Sequence, residues 1–552
     1  MVRKSPLILF VLLSSLMAAA SSAAGTYYIA ANGSDTNNGT SKTTPWQHAP
    51  GMPKCTGTCA GHTPVAGDQY IFRGGDTWHF GNSAASPYVG AGGWTWTWSG
   101  NSSNPIYIGV DQSWYSGSAW ARPILSGDNT LSTSFVSSCQ YDESSTNFVY
   151  LNSVNYITFD NFEFPGKCWS SPTTNAASIY MPANTNVTIS NSYFHGWTTT
   201  LGSQDNHYSI LGGGAGTNVQ LASDIFDGSD SSQGAANSSA CSNAFVPSSP
   251  CQSGEAVYLT AWDVHDSIFR YVSNMMVTNN THTVHDNLFE YLYNSYDGHV
   301  GDTPHSNVMN QVTNVSGSDT YFYNNVVRHT YVTEDIYFAV GSTGYFFNNV
   351  FYDNMTVPGF GTVPTGCIRF NAVSSSGTQT AYIYNNTIDS PCQFNFDKVN
   401  SPLQPWNGTA YFKNDHFIGS GGNFASVYVC NTTGTCTVTD TGNEIYQTES
   451  AANAQGYVPQ NDYAPTQTSN ATVGAGANQT TSCNTFSNDS ELCGGTSDAA
   501  NEESGSGGEI AYFPAISMIP RPASGAWDVG AYEFSSAGGP PQPPSGLAAQ
   551  VQ

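Results

Sequence analysis

Two histidines, His265 and His285, stand 20 residues apart in two similar segments, WDVHDSIF and HTVHDNLF. Each follows a valine in an alternating stretch, so both imidazoles are predicted to leave the same face of adjacent strands, together with Asp263. Imidazoles beside a carboxylate can act as general acid and base or bind a metal ion. A surface ladder of polar residues without chemistry explains the same pattern, and the sequence leaves both interpretations open.

The segment that follows His285 is dense in acidic and imidazole side chains. The stretch NSYDGHVGDTPHSN, residues 294–307, contains Asp297, His299, Asp302 and His305. Such a set can ligate a divalent cation, with calcium as the candidate, or supply a pair of carboxyl groups. We predict that this segment folds over the two histidines to complete one catalytic site. An Asp-Gly turn with incidental histidines is the alternative.

Tyrosines recur at the outward positions of the following strands. We predict that they form an aromatic stripe that binds substrate: Tyr321, Tyr323, Tyr345, Tyr382, Tyr384 and Tyr411. A tyrosine ring has a flat apolar face and a polar tip, which suits contact with the sugar rings of an extended chain. An inserted segment that covers the stripe and makes a second small core is an equally good explanation.

A repeated eight-residue pattern must position these side chains. It occurs nine times, in segments that begin at Ile157, Val187, Val219, Trp262, His282, Thr320, Gly344, Ala381 and Ala410. The third and eighth positions are apolar throughout, and the fifth is Asn or Asp in eight of the nine segments. The first four positions alternate like a half-buried strand, and the Asn-rich fifth and sixth positions predict a tight turn.

The spacing of these segments predicts how they assemble. Third positions lie 20 to 43 residues apart, which is typical of short coils with variable insertions. One coil cannot bury its own inner face, so the coils must stack as parallel strands about 4.8 Å apart. The third-position residues should then line one continuous core.

Two further ladders are predicted along the stack. The fifth-position amides should hydrogen-bond to one another: Asn324, Asn348, Asn385 and Asn414. The ninth positions should form a ladder of alternating charge on the surface: Asp227, Arg270, Glu290 and Arg328.

The coils resemble those of the pectate-lyase-like superfamily of secreted right-handed parallel β-helix proteins. Residues 26–46, TYYIAANGSDTNNGTSKTTPW, resemble the N-terminal cap of bacterial members, and residues 64–75, PVAGDQYIFRGG, resemble their first coil. Residues 527–534, WDVGAYEF, are similar to their closing strand. The resemblance implies an all-β protein: a right-handed parallel β-helix, or single-stranded solenoid, with an N-terminal cap and irregular C-terminal coils.

The predicted organisation has five parts. They are a signal peptide (1–24), an N-terminal cap with the first coils (25–130), the main parallel β-helix coils (131–430), terminal coils with a C-terminal cap (431–534), and a Gly/Pro-rich linker or tail (535–552). The signal peptide is predicted from a basic start, an apolar run and small residues before Gly25. It indicates a secreted protein, extracellular or at the cell surface, without membrane insertion.

Composition narrows the class of partner. The formal net charge is −26 with only 13 Lys and Arg, which excludes nucleic acid as a partner, because that binding needs clustered basic residues. The charge also disfavours an acidic polysaccharide unless calcium bridges the charges. In an exported protein the 12 cysteines predict disulfides between sequence neighbours: Cys55 with Cys59, Cys139 with Cys168, Cys241 with Cys251, Cys367 with Cys392, Cys430 with Cys436, and Cys483 with Cys493.

The resemblance carries no catalytic motif. The Asn-Thr-Asp, Gly-Asp-Asp, Gly-His-Gly and Arg-Ile-Lys motifs of polygalacturonase-type hydrolases are absent, and the pectate-lyase sequence Trp-Ile-Asp-His is only echoed by residues 262–265. Two functions follow. The first is a secreted carbohydrate-active protein that binds, and is expected to cleave, an extracellular polysaccharide as a lyase or glycoside hydrolase. The second is a noncatalytic glycan-binding, adhesin-like or structural surface protein.

Overall fold

The chain winds through three β-sheets and returns, after each coil, beside its own previous strand. The computed structural model describes residues 23–132, 136–170, 176–200, 211–230, 255–272, 274–279, 283–291, 307–313, 319–332, 336–340, 343–356, 368–372, 379–389, 393–398, 404–406, 408–419, 422–430, 436–485, 490–493 and 519–534. Strands of the three sheets pair in parallel from coil to coil. The fold is therefore a parallel β-helix, as the resemblance predicted. The predicted signal peptide, apart from its last two residues, and the predicted tail lie outside the described residues.

The first sheet contains positions one to four of the repeat. Its strands are Thr26–Ile29, Gln69–Gly74, Ile106–Tyr115, Asn155–Asp160, Thr185–Ser190, Leu211–Ala222, Glu255–His265, Thr283–His285, Thr320–Tyr323, Thr343–Phe347, Gln379–Tyr384, Gly408–Lys413 and Cys436–Asp440. The long strands Leu211–Ala222 and Glu255–His265 also enter the third sheet with their first residues.

The second sheet contains positions seven to nine. Its strands are Thr77–His79, Ile124–Ser126, Glu163–Phe164, Tyr193–His195, Ile225–Asp227, Ile268–Arg270, Leu288–Glu290, Val326–Val332, Val350–Thr356, Thr387–Asp389, His416–Ile418 and Ile445–Gln447.

The third sheet closes each coil. Besides the two long strands it contains Trp94–Trp96, Val149–Leu151, Ile179–Met181, Asn274–Asn279, Met309–Thr313, Ile336–Val340, Ile368–Ala372, Phe394–Lys398 and Tyr428–Cys430. Cys168–Trp169 pairs with Thr198–Thr199 outside the three sheets, and Gln404–Pro405 adds an antiparallel strand to Phe394–Lys398 of the third sheet. The helices are Gly57–Gly61, Glu449–Ala454 and Thr480–Thr485, with 3-10 turns at Phe424–Ser426, Pro459–Asn461 and Ser490–Cys493.

The core is the continuous row that the repeat predicts. All nine third-position side chains are fully buried: Phe159, Ile189, Leu221, Val264, Val284, Phe322, Phe346, Ile383 and Phe412. The eighth positions form a second inner row, in which Phe164 and Phe194 stack with centroids 4.7 Å apart and planes 4° apart, and Phe194 stacks on Phe226 at 4.7 Å. Each such side chain contributes about 1.5–3 kcal/mol by leaving water.

The turn between the first and second sheets explains the composition of the fifth position. Fifth-position residues adopt a left-handed backbone, for example φ 70° at Asn161, 52° at Asp266 and 53° at Asn324. Asn and Asp tolerate this region better than other residues with a side chain. The prediction of a turn is confirmed.

The axial amide ladder lies one residue further along the repeat than we predicted. The sixth-position side chains form it: Asn287 Nδ2 donates to Asn325 Oδ1 at 3.1 Å, Asn325 to Asn349 at 3.2 Å, and Asn349 to Asn386 at 3.0 Å. The same oxygens also accept backbone N–H groups of the preceding coil. The sixth side chain points inward after the left-handed residue, whereas the fifth side chain points outward, so the predicted ladder of fifth-position amides is wrong.

The ninth-position charges are buried rather than exposed, which corrects the predicted surface ladder. Asp227, Arg270, Glu290 and Arg328 are all at most 1 % exposed. Arg270 Nη2 lies 2.6 Å from Asp227 Oδ2, and Arg328 Nη2 lies 2.8 Å from Glu290 Oε2. Alternating signs along the axis let each guanidinium face a carboxylate, so burial leaves no charge without a counter-charge.

The C-terminal segment packs along the outside of the coils. Ala452, Tyr457 and Tyr463 bury outward residues of the second sheet such as Leu288 and Val350. Further on, Arg521 Nη2 donates to Asn348 Oδ1 at 3.1 Å. Gln479 and Ala477 donate in the same way to the amide oxygens of Asn385 and Asn414. The fifth-position amides therefore anchor this segment.

Disulfide pairing follows the predicted sequential order where it is described. The four bonds are Cys55–Cys59, Cys139–Cys168, Cys430–Cys436 and Cys483–Cys493. The other two predicted pairs, Cys241 with Cys251 and Cys367 with Cys392, lie outside the described residues. In the part of the chain that the structure describes, no helix is long and apolar enough to cross a membrane.

Candidate functional site

The two histidines lie side by side on the outward face of the first sheet. The parallel register pairs His265 with His285 and Val264 with Val284, so the inward valines hold both imidazoles in one column. The rings are stacked, with centroids 5.1 Å apart and planes 13° apart. The stack continues from His285 to Tyr323 at 4.8 Å. Ala222 is the next residue of this column on the other side of His265, so His265 is the open end of the ring stack.

His265 is oriented by the residue that follows it. Its Nδ1 lies 2.7 Å from Asp266 Oδ2. The hydrogen bond from His265 lowers the pKa of Asp266 below its usual value, against the effect of burial, so the carboxylate is ionised and can only accept. Nδ1 therefore carries the proton in neutral His265, and the lone pair of the imidazole is on Nε2. No other described residue bonds to that nitrogen, and the side chain is 25 % exposed.

His285 is held in the charged form. Its Nδ1 lies 2.7 Å from Asp286 Oδ2, and its Nε2 lies 3.3 Å from Asp263 Oδ1. Burial by itself would lower the pKa of His285, but the carboxylates of Asp263 and Asp286 outweigh it and raise the pKa to about 10. Nδ1 is hydrogen-bonded to Asp286 and Nε2 faces Asp263 as an ion pair, so His285 serves as a fixed positive charge under His265 rather than as a proton carrier.

The structure brings together three of the predicted catalytic residues, Asp263, His265 and His285. The predicted residues Asp297, His299, Asp302 and His305 lie outside the described residues, so their convergence on this site stays a prediction. Sequence reasoning missed Asp266 and Asp286, because the fifth position was assigned to the turn alone. The repeated dipeptide His-Asp at 265–266 and 285–286 is the signal that marks them.

The described residues contain no group of three or more His, Cys, Asp and Glu arranged to hold a metal ion. Near the histidines the carboxylates of Asp263, Asp266 and Asp286 already face imidazole nitrogens. Any calcium site here would have to draw on residues 292–306, which are outside the described residues, and it stays a prediction.

The tyrosine stripe is partly covered. Tyr323, Tyr345 and Tyr384 are buried in one cluster with Phe347 against residues of the C-terminal segment, namely Cys483, Leu492 and Trp527. Tyr321, Tyr382 and Tyr411 pack at the margin of this cluster and stay partly exposed. Of the two alternatives that the sequence left open, a covering segment accounts for the fourth-position tyrosines.

The second-position tyrosines also use their ring faces on one another. Tyr321 stacks on Tyr345 at 4.5 Å and 3°, Tyr345 on Tyr382 at 5.4 Å, and Tyr382 on Tyr411 at 5.4 Å. Rings stacked along the axis present edges and hydroxyl groups outward, because their faces are occupied. This column can offer a ligand a row of hydroxyl groups, but it is not a platform for sugar rings.

The other half of the face, on the N-terminal side of the histidines, carries small polar side chains. The second positions pair from Tyr107 through Thr158, Thr188 and Gln220 to Asp263. The fourth positions there are Asp160, Ser190 and Ala222. These side chains are short, so the sheet between Tyr107 and His265 is a shallow floor with hydrogen-bonding groups.

The fold and this face define a parallel β-helix protein that carries an Asp–His pair on the outward face of its first sheet. The sequence matches no protein-family model and no curated protein. Among solved structures, the chain is similar to the pectate lyase Pel9A, at 14 % identity and a TM-score of 0.42, over 93 % of this chain and 97 % of the lyase.

Two other solved structures show similarity of the same kind. The GH136 lacto-N-biosidase from Eubacterium ramulus matches at 10 % identity and a TM-score of 0.39, over 77 % of this chain and 68 % of the enzyme. The PL6 family polysaccharide lyase Pedsa3628 from Pseudopedobacter saltans matches at 10 % identity and a TM-score of 0.35, over 70 % of this chain and 90 % of the lyase.

Proposed function

We propose that this protein is an extracellular carbohydrate-active enzyme that binds a polysaccharide along the outward face of the first sheet and cleaves it beside His265. The observation that carries the proposal is the Asp266–His265 pair. The carboxylate fixes the proton on Nδ1, 2.7 Å away, and leaves Nε2 as a base directed away from Asp266. A carboxylate that selects the imidazole tautomer in this way is a recurring arrangement in acid–base catalysis.

The charge around His265 favours a neutral glycan. Three carboxylates, Asp263, Asp266 and Asp286, surround one fixed imidazolium, His285. This local excess of negative charge, on a chain of net charge −26, repels the carboxylates of a polyuronate. Hydrolysis of a neutral glycan is therefore the favoured form of the reaction, with His265 exchanging a proton with the attacking water or the leaving oxygen. A lyase reaction on an acidic glycan would need calcium to offset the charge.

The small polar floor between Tyr107 and His265 supports an extended ligand. Thr158, Thr188 and Gln220 offer hydroxyl and amide groups at each strand step of about 4.8 Å. On the other side of the histidines, the hydroxyl groups of Tyr321, Tyr382 and Tyr411 complete the proposed binding face. The predicted loop residues Asp297, His299, Asp302 and His305 remain part of the proposal as further acid–base or cation-binding groups.

The test is incubation of the mature protein with neutral and acidic polysaccharides, with and without calcium, measuring both reducing ends and the ultraviolet absorbance of unsaturated sugars. New reducing ends on a neutral glycan, without unsaturated products, are expected. Unsaturated products that form only with calcium would show that the reaction is an elimination rather than a hydrolysis. Absence of both signals on every polysaccharide would contradict the enzymatic proposal.

A noncatalytic glycan-binding protein is the second candidate, and one specific observation favours it. The stack from His265 through His285 and Tyr323 to Phe347 is regular, with neighbouring centroids 4.8–5.1 Å apart. Such a ladder also arises from coil stacking alone, without selection for chemistry. Retention of a polysaccharide in affinity electrophoresis, with no cleavage over long incubation, would support this candidate.

A further inference from the structure

We infer that the first sheet holds a separate carbohydrate subsite at its N-terminal end, which binds a neutral pyranose unit of the glycan about four strands away from His265. The inference rests on the proposed function for the class of ligand. Its structural basis is an open, shallow cavity of about 480 Å³ on the outward face of the sheet. It is lined by Thr26, Tyr28, Gln69, Ile71, Tyr107, Val110 and Asp111.

The ring of Tyr107 lies down on the sheet. A Cβ atom at Gly109 would stand 2.5 Å from both Cζ and the hydroxyl oxygen of Tyr107, so the ring occupies the space above that glycine. Its hydroxyl donates to Asp160 Oδ2 at 2.7 Å, which fixes the ring in this position. No other described aromatic ring contacts it. Tyr107 thus lies flat and partly exposed in the cavity wall without the ring stacking seen for the tyrosines of the C-terminal half, and such a ring suits the C–H face of a pyranose.

Polar side chains line the same cavity as this ring. Hydrogen bonds from the Lys42 ammonium, 2.6 Å from Asp111 Oδ2, and from Ser113 to Oδ1 lower the pKa of that carboxyl to about 2, so Asp111 is an ionised acceptor with part of its capacity already used. Gln69 accepts from the Thr26 hydroxyl at 3.3 Å, and its amide N–H groups have no partner among the described residues. Donors and acceptors placed together beside an aromatic face match a neutral sugar, which carries both.

An apolar wall limits the cavity on one side. The rings of Tyr28 and Trp114 meet edge to face, with centroids 5.4 Å apart and planes 89° apart. Ile71, in register with Tyr28, makes the apolar part of the floor. The mixture of an apolar floor and a polar rim favours a sugar over a purely apolar ligand or an ion.

The register gives the distance between this subsite and the histidines. Tyr107 pairs with Thr158, Thr158 with Thr188, Thr188 with Gln220, and Gln220 with Asp263. Four strand steps of about 4.8 Å make about 19 Å, the length of roughly four sugar units in an extended chain. A glycan that reaches both places must therefore be longer than about four units, and the enzyme should cut long chains in preference to short oligosaccharides.

The experiment uses the mature full-length protein and the variants Tyr107→Ala, Tyr107→Phe and Gly109→Ala, with Tyr115→Ala as control. Tyr115 is 39 % exposed on the same strand but does not line the cavity. Affinity is measured with xylan, mixed-linkage β-glucan and galactomannan by affinity electrophoresis, and cleavage is measured on the matching oligosaccharides of two to eight units.

We expect Tyr107→Ala and Gly109→Ala to weaken binding of the recognised polysaccharide by about tenfold. Tyr107→Phe, which keeps the ring, should lose much less affinity, and Tyr115→Ala should bind like the parent protein. In Tyr107→Ala, long oligosaccharides should no longer be cleaved faster than short ones. The cleavage rate of oligosaccharides too short to reach the subsite should stay unchanged. Circular dichroism and melting temperature confirm that the variants fold.

The outcomes separate this inference from the proposed function. If Tyr107→Ala still cleaves the glycan and its affinity and length dependence are unchanged, the subsite is overturned and the enzyme proposal stays intact. Binding that is lost in Tyr107→Ala, with no cleavage by the parent protein, supports the subsite and contradicts the enzyme proposal. Failure of the parent protein to bind any of these neutral glycans overturns the subsite as stated.

Discussion

The ring of His265 rests on the ring of His285, with centroids 5.1 Å apart and planes 13° apart. Each nitrogen of His285 faces a carboxylate, whereas among the described residues His265 has a partner only at Nδ1. Two histidines at the same repeat position therefore differ in the hydrogen bonds that they can still form. Nε2 of His265 has no partner among the described residues, and His285 lies beside it as a fixed positive charge.

The first prediction concerns the role of His265. His265→Gln should reduce cleavage by about 10²- to 10⁴-fold, the usual contribution of a general acid or base, with little change in glycan affinity. Asp266→Asn should also lose activity, because an amide cannot enforce the Nδ1 proton, while Asn accepts the φ of 52° at this position. Initial rates and binding isotherms on the same polysaccharide measure both effects.

His329→Gln is the matched control for these variants. His329 belongs to the strand Val326–Val332 of the second sheet, and its Nδ1 lies 2.7 Å from Asp353 Oδ2. Loss of one Asp–His pair of the second sheet, which is not part of the proposed site, should leave the rate unchanged. Equal losses in His265→Gln and His329→Gln would show that the effect is structural and would remove the case for catalysis at His265.

The second prediction concerns alkaline stability. The pKa of His285 is raised to about 10, against about 6.5 in the unfolded chain. Below pH 6.5 the proton is bound in both states, so the carboxylate contacts of His285 contribute in full. As pH rises from 6.5 to about 10, the folded state holds a proton that the unfolded state releases, so this contribution falls and is lost above pH 10.

Urea unfolding of the parent protein and of His285→Gln at intervals from pH 6 to pH 10 measures this effect. The difference in free energy of unfolding between the two proteins should shrink as pH rises. His195→Gln is a second case, because Asp230 and Glu163 outweigh burial and raise the pKa of His195 to about 9. A stability difference independent of pH would show that His285 is not protonated through its two carboxylates.

The third prediction concerns the buried charge ladder. Arg270 lies between Asp227 and Glu290 with no exposed surface, so Arg270→Met should cost about 3–5 kcal/mol by leaving carboxylates without a counter-charge. Replacing Arg270 and Asp227 together by apolar residues should cost less than the single change. Lys54→Ala, at an exposed position, is the control. Urea denaturation checks all four proteins, and a loss near zero in Arg270→Met would contradict the pairing.

The fourth prediction separates the fifth and sixth positions of the turn. Asn349→Ala removes the acceptor of the Asn325 backbone N–H and should cost about 2–4 kcal/mol. Asn324→Gly keeps the left-handed φ of 53° and should cost about 1 kcal/mol or less. Asn324→Val should cost about 1–3 kcal/mol through backbone strain. Equal costs for Asn349→Ala and Asn324→Gly would contradict the assignment of the ladder to the sixth position.

Much of the fold follows from local patterns. Alternation in segments such as VTISNSYF predicts strands with Val187 and Ile189 inside, and both are fully buried. The neighbourhood of His265 and His285 was predictable for a related reason. A step of 20 residues leaves no room for a long insertion, so two equivalent positions must lie on adjacent strands.

The residues that give the histidines their different roles were harder to predict. Asp266 and Asp286 follow their histidines directly, and adjacent residues on a strand face opposite sides. Here the left-handed fifth residue breaks the alternation and turns its carboxylate back toward the preceding imidazole. The direction of the Asp266 and Asp286 side chains depends on the left-handed φ of these residues. An Asp at the fifth position favours that φ but does not require it.

By itself the sequence determined the coil: which strand positions turn inward, where the chain bends, and which residues become neighbours one coil apart, because these depend on contacts within and between adjacent repeats. Only the tertiary structure decided which outward positions meet water. Trp527 covers Tyr323 and Tyr384 from far along the chain, and Asp462 lies 3.5 Å from Arg328. The residues that cover an outward position come from outside the repeat, so no period in the sequence encodes their burial.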